Sequence, residues 1–107
     1  MTPEGKLQTY LKDRVLKTGG AFRKLSWIGR RGAPDCFIWW PGPVFAFVEV
    51  KVKGRGRLSK LQERECQRMR DAGFDVAVVW TKEDIDALLS RLTQPFGCIN
   101  LETESET

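Results

Sequence analysis

The chain has 107 residues, 41% of them hydrophobic and 30% charged, with a net charge of +4 and no histidine. That length suits one domain, and the apolar fraction is enough for a core. No apolar stretch approaches the roughly 20 residues of a spanning helix, and the lack of histidine excludes catalytic schemes built on it.

Thr2-Pro3-Glu4 reads as a helix start, with an N-cap, proline at the first helical position and an early acid. Leu7, Tyr10, Leu11 and Val15 keep helical spacing up to Gly19-Gly20, so residues 3–18 are expected to be helical. The N-terminus lacks the basic-then-apolar pattern of a signal peptide, and an intracellular protein is expected. Residues 22–28 alternate well enough for a first strand, and Gly29 to Pro34 form a loop rich in glycine and arginine. Cys36–Trp40 and Val44–Val52 read as two strands joined by Pro41-Gly42-Pro43. Lys53 to Arg57 is a basic, glycine-containing loop. Leu58-Ser59 then opens a second helix that runs to about Ala72, before Gly73. Its expected apolar stripe is Leu58, Leu61, Met69 and Ala72, with Gln62 inside it. Residues 75–80 look like a buried strand, parallel to the third by a right-handed crossover. Thr81 caps a third helix over 82–92. The order is αβββαβα, a mixed sheet flanked by helices. Residues 1–101 make the domain and 102–107 an acidic, frayed tail.

A pair of carboxylates carries the chemistry. If the hairpin turn centres on Gly42, Asp35 and Glu49 are equidistant from it and face each other across the strands. Directly opposed residues have Cβ atoms roughly 5 Å apart, and like charges there destabilise the sheet. A divalent cation turns that repulsion into attraction. Lys51 shares the face of Glu49 because strand side chains alternate with period two. Two acids and a lysine on one face point to metal-dependent hydrolysis. The bland alternative is an exposed strand face with a cross-strand ion pair. Gln62 has its own bland reading, a capping box with Ser59. Glu4 has another, an acid favoured by the helix dipole. Glu65 also falls in the stripe and has no account from sequence.

Three cysteines, Cys36, Cys66 and Cys98, are odd in number and far apart, which argues against a disulfide framework and a zinc site. Residues 102–107 carry three acids and no base, so the body without them has a net charge of +7. Such a body suits a polyanion. Arg30, Arg31, Lys53, Arg55, Arg57 and Lys60 are the expected phosphate contacts. Trp27, Trp39, Trp40 and Trp80 are assigned to the core or a dimer surface, and the surplus of aromatics suggests a homodimer.

Glu4, Gly32-Ala33-Pro34-Asp35, Glu49-Val50-Lys51 and Leu58-Ser59-Lys60-Leu61-Gln62 occur in the order and approximate spacing of the VRR-NUC domain. The chain thus resembles a branch of the PD-(D/E)XK nucleases over about residues 3–85. The resemblance implies a restriction-endonuclease-like αβββαβ core and phosphodiester hydrolysis with Mg²⁺ or Mn²⁺. It implies Asp35, Glu49 and the Val50 carbonyl as metal ligands. Lys51 then positions or activates the attacking water, and Glu4 and Gln62 match the outer acid and glutamine. It further implies a homodimer acting on branched DNA, including four-way junctions. The competing reading is a basic module that binds DNA or a partner without cutting it.

Overall fold

In the computed structural model, residues 1–52 and 57–94 are described. The elements are α1 (Pro3–Lys17), β1 (Ala21–Lys24), β2 (Cys36–Trp40), β3 (Val44–Val50), α2 (Lys60–Asp71), β4 (Val76–Val79) and α3 (Lys82–Thr93). Their order is the expected αβββαβα. The tail, and Lys53, Arg55 and Cys98 with the roles expected of them, lie outside the described residues.

The four strands form one sheet in the order β1-β2-β3-β4. The first two pairings are antiparallel and β3–β4 is parallel. Trp40 pairs with Val44, so the hairpin turns over Pro41 to Pro43. Gly42 sits there at φ 126°, a conformation that favours glycine. The register continues to Cys36 opposite Val48, which aligns Asp35 and Glu49 one step further on.

Period two gives the sheet two different faces. Cys36, Ile38, Trp40, Ala46, Val48, Val50 and Val79 point one way and join Leu7, Leu11 and Val15 of α1 and Ile85, Leu88 and Leu89 of α3 in a single core. Thr2, Ser59 and Thr81 cap the three helices, each accepting from a backbone amide of its first turn. The other face is aromatic. Phe37 packs against Trp39, Phe45 and Phe47, with ring centroids 4.8 to 5.9 Å apart. Trp27 and Phe74 extend this layer from either side of Phe47. Helix α2 lies on this second side, over β4, where Arg70 donates to the Val76 carbonyl at 3.0 Å.

Three expectations need correction. The first strand ends at Lys24, not residue 28. One further bond, from the Leu25 amide to the Asp35 carbonyl, prolongs the pairing. The chain then turns away, held by the Trp27 indole donating to the Pro34 carbonyl at 2.6 Å, and Ile28 is left 98% exposed. The third strand ends at Val50 rather than Val52. The stripe of α2 is also rotated from the expected one. Leu61 and Ala72 are exposed, Cys66 is the helix's buried residue, and Gln62, Glu65 and Met69 are half-buried. The seat beneath α2 contains a carboxylate, Glu49, so the helix turns its glutamine inward. Among the described residues no helix is long and apolar enough to cross a membrane.

Candidate active site

The open end of the β2–β3 hairpin gathers the expected residues. Glu49 is only 4% exposed although it carries an ionisable group. A buried carboxylate needs compensation, because desolvation disfavours its charged form. Two side chains supply part of it. Gln62 Nε2 donates to Glu49 Oε2 at 3.2 Å, and Lys51 Nζ lies 3.8 Å from the same oxygen. The compensation is incomplete. Burial, followed by the charge of Asp35, raises the Glu49 pKa to about 7. Lys51 opposes this shift, Glu4 adds to it, and the Asp35 backbone amide opposes it. The Asp35 charge across the hairpin thus adds to the effect of burial on Glu49.

Gln62 forms the capping box and also reaches Glu49. Its Oε1 accepts from the Ser59 amide at 3.0 Å while Ser59 Oγ accepts from the Gln62 amide at 3.1 Å. This capping box holds the side-chain oxygen at the helix end and leaves the NH₂ group for Glu49. Local helix chemistry thus aims the contact.

Asp35 follows the loop from Gly29 to Pro34. Gly32 in that loop has φ 83°, and a Cβ there would lie 2.9 Å from the Leu61 carbonyl oxygen. The backbone therefore passes close against the start of α2, which only glycine permits. The Asp35 carboxylate accepts from Gln8 Nε2 at 3.2 Å and from the Cys36 thiol at 3.6 Å. Burial and the Asp35 charge push that thiol's pKa up, so it stays a protonated donor. Gln8 Oε1 in turn accepts from Lys24 Nζ at 2.8 Å. Neither Gln8 nor Lys24 was picked out from the sequence. A helix face crossing the end of β1 brings them together, and nothing local announces it.

An open cleft of about 500 Å³ adjoins this cluster, lined by Glu4, Gln8, Lys24 and Lys51 together with Thr2, Pro3, Gly5 and Val52. Glu4 thus borders the cleft without closing a cage. Among the described residues, no three His, Cys, Asp or Glu side chains are grouped so as to hold a metal ion. Two carboxylates under mutual repulsion still fit a Mg²⁺-type ion, which takes one or two carboxylates and keeps several waters. Val50, whose carbonyl was expected as a further ligand, pairs with Val79 at the end of β3.

Of the expected phosphate contacts, Arg30, Arg31, Arg57 and Lys60 are exposed. Arg30 is engaged: its Nη2 donates to Glu65 Oε1 at 2.7 Å, and that bond lowers the Glu65 pKa. Glu65, unexplained in sequence, is the partner of the Gly29–Pro34 loop.

A mixed four-stranded sheet thus sets an aspartate against a Glu-x-Lys strand, beside a cleft. The VRR-NUC domain family matches residues 16–83, and the chain belongs to this family. "Putative nuclease p44" of Acyrthosiphon pisum secondary endosymbiont phage 1 is 33% identical over 86 residues, covering 80% of this chain and 90% of that protein. A solved structure described as "VRR_NUC domain" superposes with a TM-score of 0.78 at 41% identity, covering 84% of this chain and 97% of the other. A "VRR_NUC domain protein" has the same fold at 11% identity, with a TM-score of 0.66 over 88% of this chain and 90% of its own. The matched family segment includes Lys24, Asp35, Glu49, Lys51 and Gln62, whereas Glu4 and Gln8 precede it.

Proposed function

We propose that the protein is a divalent-metal-dependent DNA endonuclease, acting inside the cell, with Mg²⁺ or Mn²⁺ held by Asp35 and Glu49. The observation that carries this reading is the buried Glu49, set beside Asp35 and Lys51 with its pKa raised to about 7. A fold does not retain such a destabilised carboxylate for packing, and a bound cation relieves it. The Val50 carbonyl and Glu4 are the proposed additional oxygen donors.

When bound, the ion lowers the pKa of a coordinated water and stabilises charge on the phosphate. The side chains do the rest. Asp35 and Glu49 would hold the ion between them, and Gln62 keeps Glu49 oriented. Lys51 offers its ammonium to the attacking water or to the phosphate oxygen on which charge develops. Arg30, Arg31, Arg57 and Lys60, with Lys53 and Arg55 of the basic loop, hold neighbouring phosphates without reading sequence.

The proposed substrate is branched DNA, including four-way junctions, and the proposed assembly is a homodimer. The open aromatic face supports the second part: Trp27, Phe45 and Phe74 are 39%, 40% and 45% exposed. A contiguous apolar patch of this kind marks an interaction surface. Two copies related by a two-fold axis supply two cuts on a symmetric junction.

The test is a panel of duplex, flap, splayed and four-way DNA, with and without Mg²⁺. Cleavage that needs the ion, with the four-way substrate preferred, bears the reading out. Tight binding with no cleavage in Mg²⁺ or Mn²⁺ makes the protein a binding module instead.

A further inference from the structure

Each of the two site carboxylates is held by a glutamine, and the two glutamines arrive from different helices. Gln62 reaches Glu49 from α2, and Gln8 reaches Asp35 from α1. In both cases a donor behind the amide settles which end faces the carboxylate. For Gln62 it is the Ser59 amide, and for Gln8 it is the Lys24 ammonium. An ammonium only donates, so the Gln8 oxygen must face Lys24 and the NH₂ must face Asp35. The flipped amide would set two donors together and two acceptors together. Gln8 is thereby locked as a donor to Asp35 Oδ2.

Lys24 itself spends one N–H on Gln8, and its side chain is exposed beside the cleft that also holds Lys51. A lysine ammonium carries three N–H groups. The remaining two are left for a ligand in the cleft that Lys24 lines. We propose that Gln8 is a positioning residue for Asp35, and that Lys24 both locks Gln8 and contacts a DNA phosphate in the cleft. This rests on the nuclease reading above. The arrangement ties strand binding to carboxylate geometry: the group that meets the phosphate also holds the amide that aims the ligand. Partners that orient metal ligands change metal affinity by about 10- to 100-fold when removed.

The experiment uses the full chain in two arms. In the first, Mn²⁺ alone is titrated calorimetrically into wild type, Asp35→Asn, Gln8→Ala and Gln8→Met, with the melting temperature of each apo protein measured alongside. Methionine keeps the volume of Gln8 and removes its donor, so it replaces Gln8→Ala should the alanine variant unfold. The expected result is about tenfold weaker Mn²⁺ binding in the Gln8 variants at an unchanged apo melting temperature. In the second arm, duplex DNA binding in Ca²⁺ is followed against salt. Lys24→Ala should lower the magnitude of the log K versus log salt slope by about 0.9, and Lys24→Arg should restore it. Wild-type Mn²⁺ affinity in both Gln8 variants, alongside its loss in Asp35→Asn, overturns the Gln8 role alone. An unchanged slope in Lys24→Ala overturns the phosphate contact. If wild type binds no Mn²⁺ that Asp35→Asn removes, the nuclease reading falls and this proposal falls with it.

Discussion

The two faces of the central sheet are built from alternate residues of the same strands and serve different ends. Ile38 and Val48 are fully buried under α1 and α3, while their neighbours Phe37 and Phe47 lie in a layer that is only partly covered. The covered face is aliphatic and continuous. The other face begins as aromatic surface near the hairpin turn and becomes a charged site at the open end, where Glu49 and Lys51 follow Phe45 and Phe47 at every second position. The lesson is one of division of labour. A seven-residue strand that is well anchored on one side can carry an unfavourable buried carboxylate, Glu49, on the other.

The sharpest way to break the comparison is to alter each face alone. Asp35→Ala or Glu49→Ala should eliminate detectable DNA cleavage while the apo protein stays folded by circular dichroism. Cleavage at the wild-type rate by either variant would remove these residues from the chemistry. Ile38→Ala, on the covered face, should do the reverse. It should cost about 2–5 kcal/mol of stability in chemical denaturation and change metal binding little in whatever fraction remains folded. Phe45→Ala, on the aromatic face, should leave the monomer nearly as stable and shift sedimentation from dimer to monomer. A monomeric wild type at micromolar concentration, free and DNA-bound, would contradict the dimer.

The legibility of these faces in the sequence was uneven, for physical reasons. Pro41-Gly42-Pro43 restricts the turn so tightly that the register follows by counting, and the Asp35–Glu49 alignment came with it. The three helix caps are local chemistry and were equally readable. The Gln62 contact was readable only as one of two alternatives, since its aim depends on how α2 sits over β4. Leu61 misled the placement of that stripe because it covers Gly32 rather than the sheet. The first strand was overextended because alternation from Phe22 to Ile28 carries no sign of the Trp27–Pro34 bond. Gln8 and Lys24 were missed for the same kind of reason. They are 16 residues apart and meet only because α1 packs beside β1.

A subtler test concerns what the charged end of the open face costs the apo protein. Glu49 has its pKa raised from 4.5 to about 7 by burial, Asp35 and Glu4, against Lys51 and the Asp35 amide. The folded state therefore holds this proton more tightly than the unfolded chain. With respect to Glu49, stability is highest below about pH 4.5, falls as pH rises, and is lowest above about pH 7. Such a shift corresponds to roughly 3 kcal/mol. Glutamine imitates the protonated acid, so Glu49→Gln should match wild type near pH 4.5 and exceed it by roughly that amount at pH 8 without metal. Mg²⁺ should then stabilise wild type and not Glu49→Gln. A stability difference that is flat with pH would mean that Glu49 is not destabilised when charged.

The smallest expected effect lies at the rim, where Arg30 is held by Glu65. Both side chains reach solvent, so the pair contributes little to the fold and salt screens it. If Arg30 contacts DNA as proposed, a phosphate has to compete with Glu65 for the guanidinium. Glu65→Gln should release Arg30 and tighten duplex binding by about two- to threefold at low salt, with the gain shrinking as salt rises. Arg57, with no charged partner among the described residues, offers the contrast. Arg57→Ala should weaken binding about equally for all sequences and reduce the salt slope by about 0.9. Neither change should alter the single-turnover rate at saturating DNA. Weaker DNA binding by Glu65→Gln would show that the pair serves to hold the Gly29–Pro34 loop in place, and Arg30 would then belong to the support of Asp35 rather than to the DNA surface.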